Sequence, residues 1–225
     1  MQRVKNLILI GTSHIAQQSI DDVKVAVLTY KPKVIAIELD RKRMEALLHP
    51  QRRKIRLSDI KKVGFKGFLF NAFGAWAEKK LGKIVAVPPG SEMKTAIMLA
   101  RETNALIALI DQDIHITLKR LSKEMTLREK ARFLKELLLS MFIKRPKITF
   151  DLRKVPNEEI ISKLTKRMKK EYPSIHKVLI EERNQTMAKA LYKIMNDYKD
   201  EKVVAVVGAG HEKDIAQLLK KEGKW

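Results

Sequence analysis

Residues 7–14 have the sequence LILIGTSH, in which a short apolar run leads into a Gly-x-x-His turn. In residues 19–30, which follow, apolar side chains recur at spacings of three or four, as in an amphipathic helix. Pro32 ends this pattern before a second apolar run at 34–37. Continuous apolar runs of this length are typical of buried parallel strands. Together the three segments predict a βαβ unit.

Further apolar runs extend this pattern along the chain. The predicted strands are residues 7–10, 34–37, 84–87, 106–110 and 203–207. Helical patterns separate them, so the predicted fold class is α/β, with a mainly parallel sheet flanked by helices. Residues from about 117 to 200 are predicted to form a helical insertion before the last strand. The length of the chain fits a single domain over residues 1–225.

The composition excludes several classes of protein. The chain has 225 residues, 45% of them hydrophobic, and no cysteine. A disulfide framework, a thiolate nucleophile and a Cys-ligated metal centre are therefore excluded. No apolar run approaches the ~20 residues needed to span a bilayer, and the first residues lack the apolar stretch of a signal peptide. We therefore expect a soluble, cytoplasmic protein.

The net charge of +21 is concentrated in two stretches. Residues 52–83 contain ten Lys or Arg and two acids, and residues 117–170 contain seventeen and six. Such charge attracts nucleic acid, an anionic membrane surface or an anionic substrate. Nucleic acid is the least favoured, because the basic helices lack a DNA- or RNA-binding motif and interleaved aromatic residues. The aromatic run at 65–76 predicts either a packed helical hairpin or a surface that contacts a membrane or a partner. A homo-oligomer is compatible with the sequence.

A second Gly-x-x-His turn follows the last predicted strand and ends at His211, as the first ends at His14. Functional groups in open parallel sheets gather at the carboxyl ends of the strands, so we expect both histidines at one edge of the sheet. Two imidazoles and a strand-end carboxylate such as Glu38 are a common ligand set for a divalent transition metal. Such an ion activates water or polarises a carbonyl. Other polar residues at predicted strand ends are Thr12, Ser13, Asp40, Asp111 and Asp113.

Other residues near these ends have more ordinary interpretations. Gly11 and Gly208 are expected to let the chain turn sharply after a strand, and Gly210 to allow a close backbone approach. Arg183 lies in a helical segment, and belongs either to an exposed salt-bridged face or to the site, where it would stabilise an anionic intermediate or substrate. The remaining histidines, His49, His115 and His176, are expected at the surface or in loops.

Six motifs occur in order along the chain. They are GTSH at 11–14; KP at 31–32 with ELD at 38–40 and Arg43; PGSEM at 89–93; DQDI at 111–114 with TLKR at 117–120; ERN at 182–184 with Met187 and Ala188; and VVGAGH at 206–211. On these motifs the sequence resembles the TraB/PrgY family, named for plasmid pheromone-shutdown proteins, over nearly its whole length. That family is grouped with the Tiki proteases and the erythromycin-esterase-like and ChaN-like haem-binding proteins, which share two Gly-x-x-His motifs and a glutamate.

In Tiki-like members these positions belong to a metal-dependent hydrolytic site, with manganese or cobalt implicated. The resemblance implies that His14, Glu38 and His211 hold the metal here, and that Arg183 and Asn184 orient the substrate. Relatives often have Asp where this sequence has Asn184, and many have Gly where it has Asp214. Many archaeal relatives also carry C-terminal membrane segments that this sequence does not contain, which fits a short member or an excised domain.

These observations give three hypotheses of function. The leading one is a metal-dependent hydrolase acting on a peptide, in which the ion activates water and Glu38 is a ligand or general base. The second is a module that binds a peptide or another small ligand at the same site without turnover. The third is a basic adaptor for nucleic acid or an anionic membrane, formed by residues 52–83 and 117–170.

Overall fold

A computed structural model describes residues 1–13, 16–49, 88, 90–142 and 155–221 of the chain. In these residues the fold is α/β, as predicted, with a mixed, mostly parallel sheet of five strands in the order β1-β2-β5-β3-β4. The strands are β1 (Gln2–Val4), β2 (Leu7–Thr12), β3 (Val34–Ile37), β4 (Leu106–Leu109) and β5 (Val203–Gly208). The last strand in the sequence therefore lies in the middle of the sheet.

Helices flank this sheet and fill the sequence between its strands. They are α1 (Gln17–Tyr30), α2 (Arg41–Leu48), α3 (Ser91–Glu102), α4 (Ile114–Glu124), α5 (Leu127–Phe142), α6 (Glu158–Glu171), α7 (Pro173–His176), α8 (Glu182–Asp197) and α9 (Ala209–Lys220). A π-helical turn, Lys177–Glu181, joins α7 to α8. Helices α4 to α8 lie between β4 and β5, where the sequence predicts a helical insertion.

Two hydrophobic cores lie on opposite faces of the sheet, because successive strand residues point to opposite sides. On one face, Leu7, Leu9 and the odd-numbered residues of β5 pack against α8 and α9. On the other face, Ile8, Ile10, Ile35 and Ile37 pack against α1 and α3. Strands β2, β3 and β5 are buried on both faces, which explains their continuous apolar sequences, whereas the edge strand β4 is only partly buried and Leu106 is exposed.

Strand β1 is the described strand that the sequence analysis does not predict. It pairs antiparallel with β2, with Val4 opposite Leu7, across a turn in which Lys5 adopts a left-handed conformation with φ of 53°. Of its three residues, Val4 alone is buried. The segment therefore has no apolar run that could reveal a strand.

Two helices of the helical insertion begin at side-chain caps. Thr126 and Glu129 form a capping box, in which the Glu129 side chain accepts from Thr126 N at 2.9 Å and the Thr126 hydroxyl accepts from Glu129 N at 3.2 Å. Asn157 caps α6 by accepting from Ile160 N at 2.9 Å. Local side-chain chemistry thus determines where these helices begin.

The expectation that Gly210 allows a close backbone approach is wrong. A Cβ atom built on Gly210 has no atom of the described residues within 4 Å, so no close approach requires this glycine. The close approach is at Gly11, where a Cβ would lie 2.2 Å from Glu212 Oε2 and 3.1 Å from Glu212 Cβ. Gly11 lies within β2, and Gly208 has φ of −62°, which any residue adopts. The two glycines therefore do not serve as left-handed turn residues.

Several predictions fall outside the described residues. They are the strand at 84–87, the aromatic run at 65–76, the basic stretch at 52–83, and residues 143–154 of the second basic stretch. Within the described part of the chain, no helix combines the length and the apolar character needed to cross a membrane.

Candidate functional site

The two Gly-x-x-His segments begin side by side at one edge of the sheet. Strands β2 and β5 pair in parallel, with Gly11 opposite Val207 and Thr12 opposite Gly208, and the Thr12 hydroxyl donates to Val207 O at 3.1 Å. Strand β3 pairs with the other side of β5. The carboxyl ends of three neighbouring strands therefore meet here. The helices that follow β2 and β5 cover opposite faces, which makes this a topological switch point of the kind at which α/β proteins bind ligands.

Glu38 is the first residue after β3 and is 4% exposed. Its Oε2 accepts from Gly208 N at 2.5 Å, and its Oε1 accepts from Arg183 Nη2. The same Oε1 lies 3.5 Å from His211 Nε2. Both carboxylate oxygens are bound by the protein, so the orientation of this side chain is fixed.

Arg183, in the first turn of α8, uses all five of its N–H groups within the protein. It donates from Nε to Asp111 Oδ1 at 3.0 Å and from Nη2 to Asp111 Oδ2 at 2.6 Å. A second Nη2 hydrogen binds Glu38, and Nη1 contacts Leu179 O and His211 Nε2, each at 3.3 Å. Arg183 therefore belongs to the site, and its partners are buried carboxylates rather than those of an exposed helix face.

Asp111, which follows β4, joins Arg183 to a second arginine. Its side chain is fully buried, and its Oδ2 accepts from both Arg183 Nη2 and Arg43 Nη2. Burial alone would raise the pKa of Asp111, but the hydrogen bonds and charges of Arg183 and Arg43 outweigh it and hold that pKa below its ordinary value. Asp111 is therefore an ionised, structurally fixed carboxylate.

Asp40 completes the series of charged groups. It caps α2 by accepting from Lys42 N at 2.8 Å and Arg43 N at 3.0 Å, and its Oδ2 accepts from Arg43 Nε at 2.7 Å. Burial acts to raise the pKa of Asp40, but these hydrogen bonds and the charge of Arg43 lower it overall. The charge network is defined as Asp40, Arg43, Asp111, Arg183 and Glu38, in the order in which they pair.

His211, in the first turn of α9, is 6% exposed and is held by Asn184 of α8. Its Nδ1 lies 2.6 Å from Asn184 Oδ1, and the Asn184 amide donates to Asp214 Oδ2 at 3.2 Å. Asn184 thus presents its oxygen to the ring, which assigns the proton to Nδ1 and leaves a lone pair on Nε2. Burial lowers the pKa of His211 despite the opposing charge of Glu38, which favours this neutral form.

The start of α8 is positioned by the helical insertion. Arg120 of α4 binds Glu182 through two hydrogen bonds, of 3.1 Å from Nε and 2.5 Å from Nη2. The π-helical turn just before Glu182 supplies Leu179 O to Arg183. Such turns are often found at functional sites, and this one directs both Arg183 and Asn184 toward the strand ends.

His211 Nε2 and Glu38 Oε1 are donor atoms of the types that bind divalent metal ions, and both also contact Arg183, so an ion held there would replace these two contacts. Two ligands that each bind a tetrahedral ion at ~2.1 Å lie ~3.4 Å apart, close to the 3.5 Å between His211 Nε2 and Glu38 Oε1. The Nδ1 contact with Asn184 is the arrangement that orients metal-binding imidazoles. Among the described residues no group of three or more His, Asp or Glu forms a complete site. His14, the third predicted ligand, lies outside the described residues.

The structure brings together Glu38, Arg183, Asn184 and His211, four of the five predicted site residues. Arg43 and Asp111 join them, although the sequence analysis gives neither a role of its own. Asp111 is at a predicted strand end, which is a signal for it, whereas Arg43 is visible only as part of a motif.

The structure changes the expectations for His176 and Asp113. His176 is 5% exposed, with Nδ1 3.2 Å from Glu181 Oε1, so the expectation of a surface histidine is wrong, whereas His49 and His115 are exposed. Asp113 caps α4 by accepting from His115 N at 2.7 Å and pairs with Lys42. Its contacts in the described residues are those of a helix cap.

A model of the TraB/PrgY/gumN family matches residues 2–224. The chain belongs to the TraB/PrgY/gumN family. An uncharacterized protein of Methanocaldococcus jannaschii is 38% identical over 219 residues, which are 96% of this chain and 54% of that protein. A TraB domain-containing protein of Bos taurus is 23% identical over 90% of this chain and 59% of its own length. The chain thus spans between half and three-fifths of the length of these relatives.

The family match confirms the resemblance carried by the six motifs. Motif residues at 38–43, 111–114, 182–184 and 206–211 of this TraB-family chain meet at the strand ends. Asn184 and Asp214, which the sequence analysis expects to differ from many relatives, are hydrogen-bonded to each other.

Proposed function

We propose that this TraB-family protein is a hydrolase that cleaves a peptide with the help of a divalent metal ion. The observation that carries the proposal is the approach of His211 Nε2 to Glu38 Oε1, at 3.5 Å, in a buried site at the strand ends. Because Asn184 binds Nδ1, the lone pair is on Nε2, which accepts from Arg183 Nη1 at 3.3 Å and lies beside this carboxylate. A buried imidazole lone pair beside a carboxylate is the donor arrangement of hydrolytic metal sites.

The charge of the site supports a bound cation. The charge network contains three carboxylates and two guanidinium groups, which leaves one excess negative charge beside a neutral His211. In the proposal His211 and Glu38 hold the ion together with His14, and manganese or cobalt is the metal that the family resemblance implies. When bound, the ion supplies a water molecule of lowered pKa.

The chain's own residues position and assist the reaction. Glu38, fixed by Gly208 N and Arg183, takes a proton from the attacking water. The positive charge of Arg183 stabilises the negative charge that develops on the substrate, without requiring a free N–H group. Asn184 is a positioning residue, because it acts on the substrate only through the orientation of His211.

The experiment is a hydrolysis assay over a broad panel of peptides, with manganese, cobalt or zinc added. Glu38→Gln and His211→Ala are expected to reduce kcat/KM by about 100-fold or more, as the loss of a general base or a metal ligand does. His14→Ala is expected to act in the same way. His115→Ala is the matched control, since this histidine is exposed on α4 and is expected to leave activity unchanged.

Metal binding by calorimetry separates hydrolysis from a binding module. If His211→Ala abolishes metal binding but peptides are recovered intact from wild type under every condition, the site binds without turnover and the proposed hydrolysis is wrong. Hydrolysis that is equally fast in wild type and in His14→Ala would also contradict the proposal.

A further inference from the structure

Arg183 and Arg43, the two arginines of the charge network, differ in how many of their N–H groups form hydrogen bonds with the described residues. Arg183 uses all five N–H groups on Asp111, Glu38, Leu179 and His211. In the described part of the chain, Arg43 uses two, one from Nε to Asp40 and one from Nη2 to Asp111. Three N–H groups of Arg43, two on Nη1 and one on Nη2, therefore have no partner among the described residues.

Arg43 is also the more exposed of the two arginines. The Arg183 side chain is 14% exposed and the Arg43 side chain is 31% exposed, whereas Asp111 between them is 0% exposed. Arg43 is therefore the most solvent-accessible member of the charge network. A molecule that approaches the site from solvent can reach the Arg43 guanidinium without breaking a contact with Asp40 or Asp111.

The unused edge of Arg43 has the geometry of a carboxylate receptor. A guanidinium presents parallel N–H groups that bind both oxygens of a carboxylate, and such charge-assisted pairs are about twice as strong as neutral hydrogen bonds. Asp40 and Asp111 hold Nε and Nη2, so the orientation of the group is fixed before a ligand arrives. This preorganisation reduces the entropy lost on binding.

We propose that Arg43 binds a carboxylate of the substrate, and that the protein therefore selects peptides that carry one near the bond to be cleaved. This inference rests on the proposed hydrolytic site. It assigns contact with the substrate anion to Arg43 rather than to Arg183, which is the more buried and binds Asp111 and Leu179 through contacts that do not involve His211 or Glu38.

The charge network also limits where that carboxylate lies. Three hydrogen bonds join Arg43 Nη2 to Glu38 Oε1 through Asp111 and Arg183, and at ~2.9 Å each they reach at most ~9 Å. An extended peptide covers ~3.5 Å per residue, so the carboxylate is within two or three residues of the scissile bond. A C-terminal carboxylate of a short peptide and an acidic side chain both meet this requirement.

Binding of defined probes tests the inference. The probes are N-acetyl-trialanine as free acid and as C-terminal amide, and N-acetyl-Ala-Glu-Ala-amide with its Gln counterpart, each checked for intact recovery by mass spectrometry. Wild type is expected to bind at least one acid about tenfold more tightly than its neutral counterpart, and Arg43→Met is expected to lose that preference. The pair with the preference identifies the source of the carboxylate.

Lys42→Met is the matched control, because it removes the same charge from the same turn of α2 and Lys42 pairs with Asp113 outside the charge network. It is expected to keep the preference. Since Arg43→Met leaves Asp111 with one fewer partner, a second measurement uses wild type alone. The NMR signal of Arg43 Nε–H is expected to shift with the preferred acid and not with its amide.

Three results would overturn the inference: no preference for either acid in wild type, a preference that survives Arg43→Met, or one that Lys42→Met abolishes equally. Failure of the proposed hydrolysis gives a different pattern. If wild type binds the acid through Arg43 but cleaves no peptide, hydrolysis is wrong and the Arg43 contact stands. If it cleaves acid and amide forms with equal kcat/KM, hydrolysis stands and the inference is wrong.

Discussion

Asn184 determines which nitrogen of His211 is available for chemistry. Its amide nitrogen is used by Asp214, so its oxygen faces the ring and accepts the Nδ1 proton. Family relatives often have Asp at the first of these positions and Gly at the second, according to the resemblance. An Asp at 184 beside Asp214 would place two carboxylates together, which is unfavourable, so the amide suits this pair.

We expect Asn184→Leu to lower the free energy of unfolding by about 1–3 kcal/mol, because the buried Nδ1–H of His211 loses its acceptor. Chemical denaturation measures this change, and the ¹⁵N shifts of the imidazole report the altered tautomer. Thr186→Val is the control on the same helix, since the Thr186 hydroxyl bonds only Glu182 O, one turn earlier. An unchanged tautomer in Asn184→Leu would show that Asn184 does not orient the ring.

The contacts of Asp111 determine how the stability of the fold changes with pH. Its folded-state pKa lies below the unfolded value of about 3.9, so its stabilisation is complete above about pH 4 and is lost as the pH falls through the folded-state pKa. Asp111→Asn removes a buried charge partner from two arginines, which keep only Glu38 and Asp40, and is expected to cost about 3 kcal/mol at pH 7.

The measurement is urea denaturation of wild type and Asp111→Asn between pH 7 and pH 3. The difference in unfolding free energy is expected to be constant above pH 5 and to shrink below pH 4, where wild type also loses its charge. Asp113→Asn is the comparison, because this carboxylate is outside the charge network. Lys42 also lowers the pKa of Asp113, but this pair is exposed, so a smaller effect of the same sign is expected. A difference that grows on acidification would contradict the assigned charge states.

At the scale of elements, the close contact between β2 and α9 is a specific constraint. Gly11 leaves room for the Glu212 side chain, and a Cβ at position 11 would meet its Cδ at 2.9 Å. We expect Gly11→Ala to destabilise the fold by about 1–3 kcal/mol, as overpacking in a core does. Adding Glu212→Ala should recover most of that loss, because the carboxylate end of the side chain is removed.

Gly210→Ala is the matched comparison for this prediction. Position 210 is in the first turn of α9 with open space around it, so alanine is expected to stabilise the fold by up to ~1 kcal/mol through helix propensity. Thermal unfolding of the variants checks the two signs. Equal effects of alanine at positions 11 and 210 would contradict the contact with Glu212.

The elements differ in how far their sequences reveal them. Strands β2, β3 and β5 are buried on both faces and β4 is partly buried, but all four consist mainly of apolar residues, so sequence alone predicts them. Strand β1 buries only Val4, and its pairing depends on the left-handed turn at Lys5, which the sequence does not signal. The single domain over residues 1–225 stays a prediction.

The sequence predicts several residues of the site but not which of them contact each other. Glu38 and His211 follow strands, and parallel strands end at one edge, so their proximity follows from the fold. The partners of Arg183 lie 145 and 72 residues away in sequence, and only the packing of α8 on the sheet brings them together. The burial of His176 has no sequence signal, because the four-residue helix α7 is too short to show an apolar face.

At the scale of the whole molecule, the sign of the charge differs between the site and the chain. The chain carries +21, whereas the charge network carries one excess negative charge in a buried position. Buried pairs are screened little by salt, but exposed charges separated by more than a Debye length are screened strongly. Salt therefore distinguishes an interaction of the protein surface from one at the site.

We expect the protein to bind vesicles that contain phosphatidylserine at about 10 mM salt, where the Debye length is ~30 Å, and to be released at about 0.5 M. Glu38→Gln and His211→Ala are expected to bind equally well, because these residues are buried at the strand ends. Co-sedimentation across a salt series measures both effects. Binding that persists at high salt would mean that apolar surface enters the bilayer. Loss of binding in the site variants would mean instead that the anionic headgroup occupies the site itself.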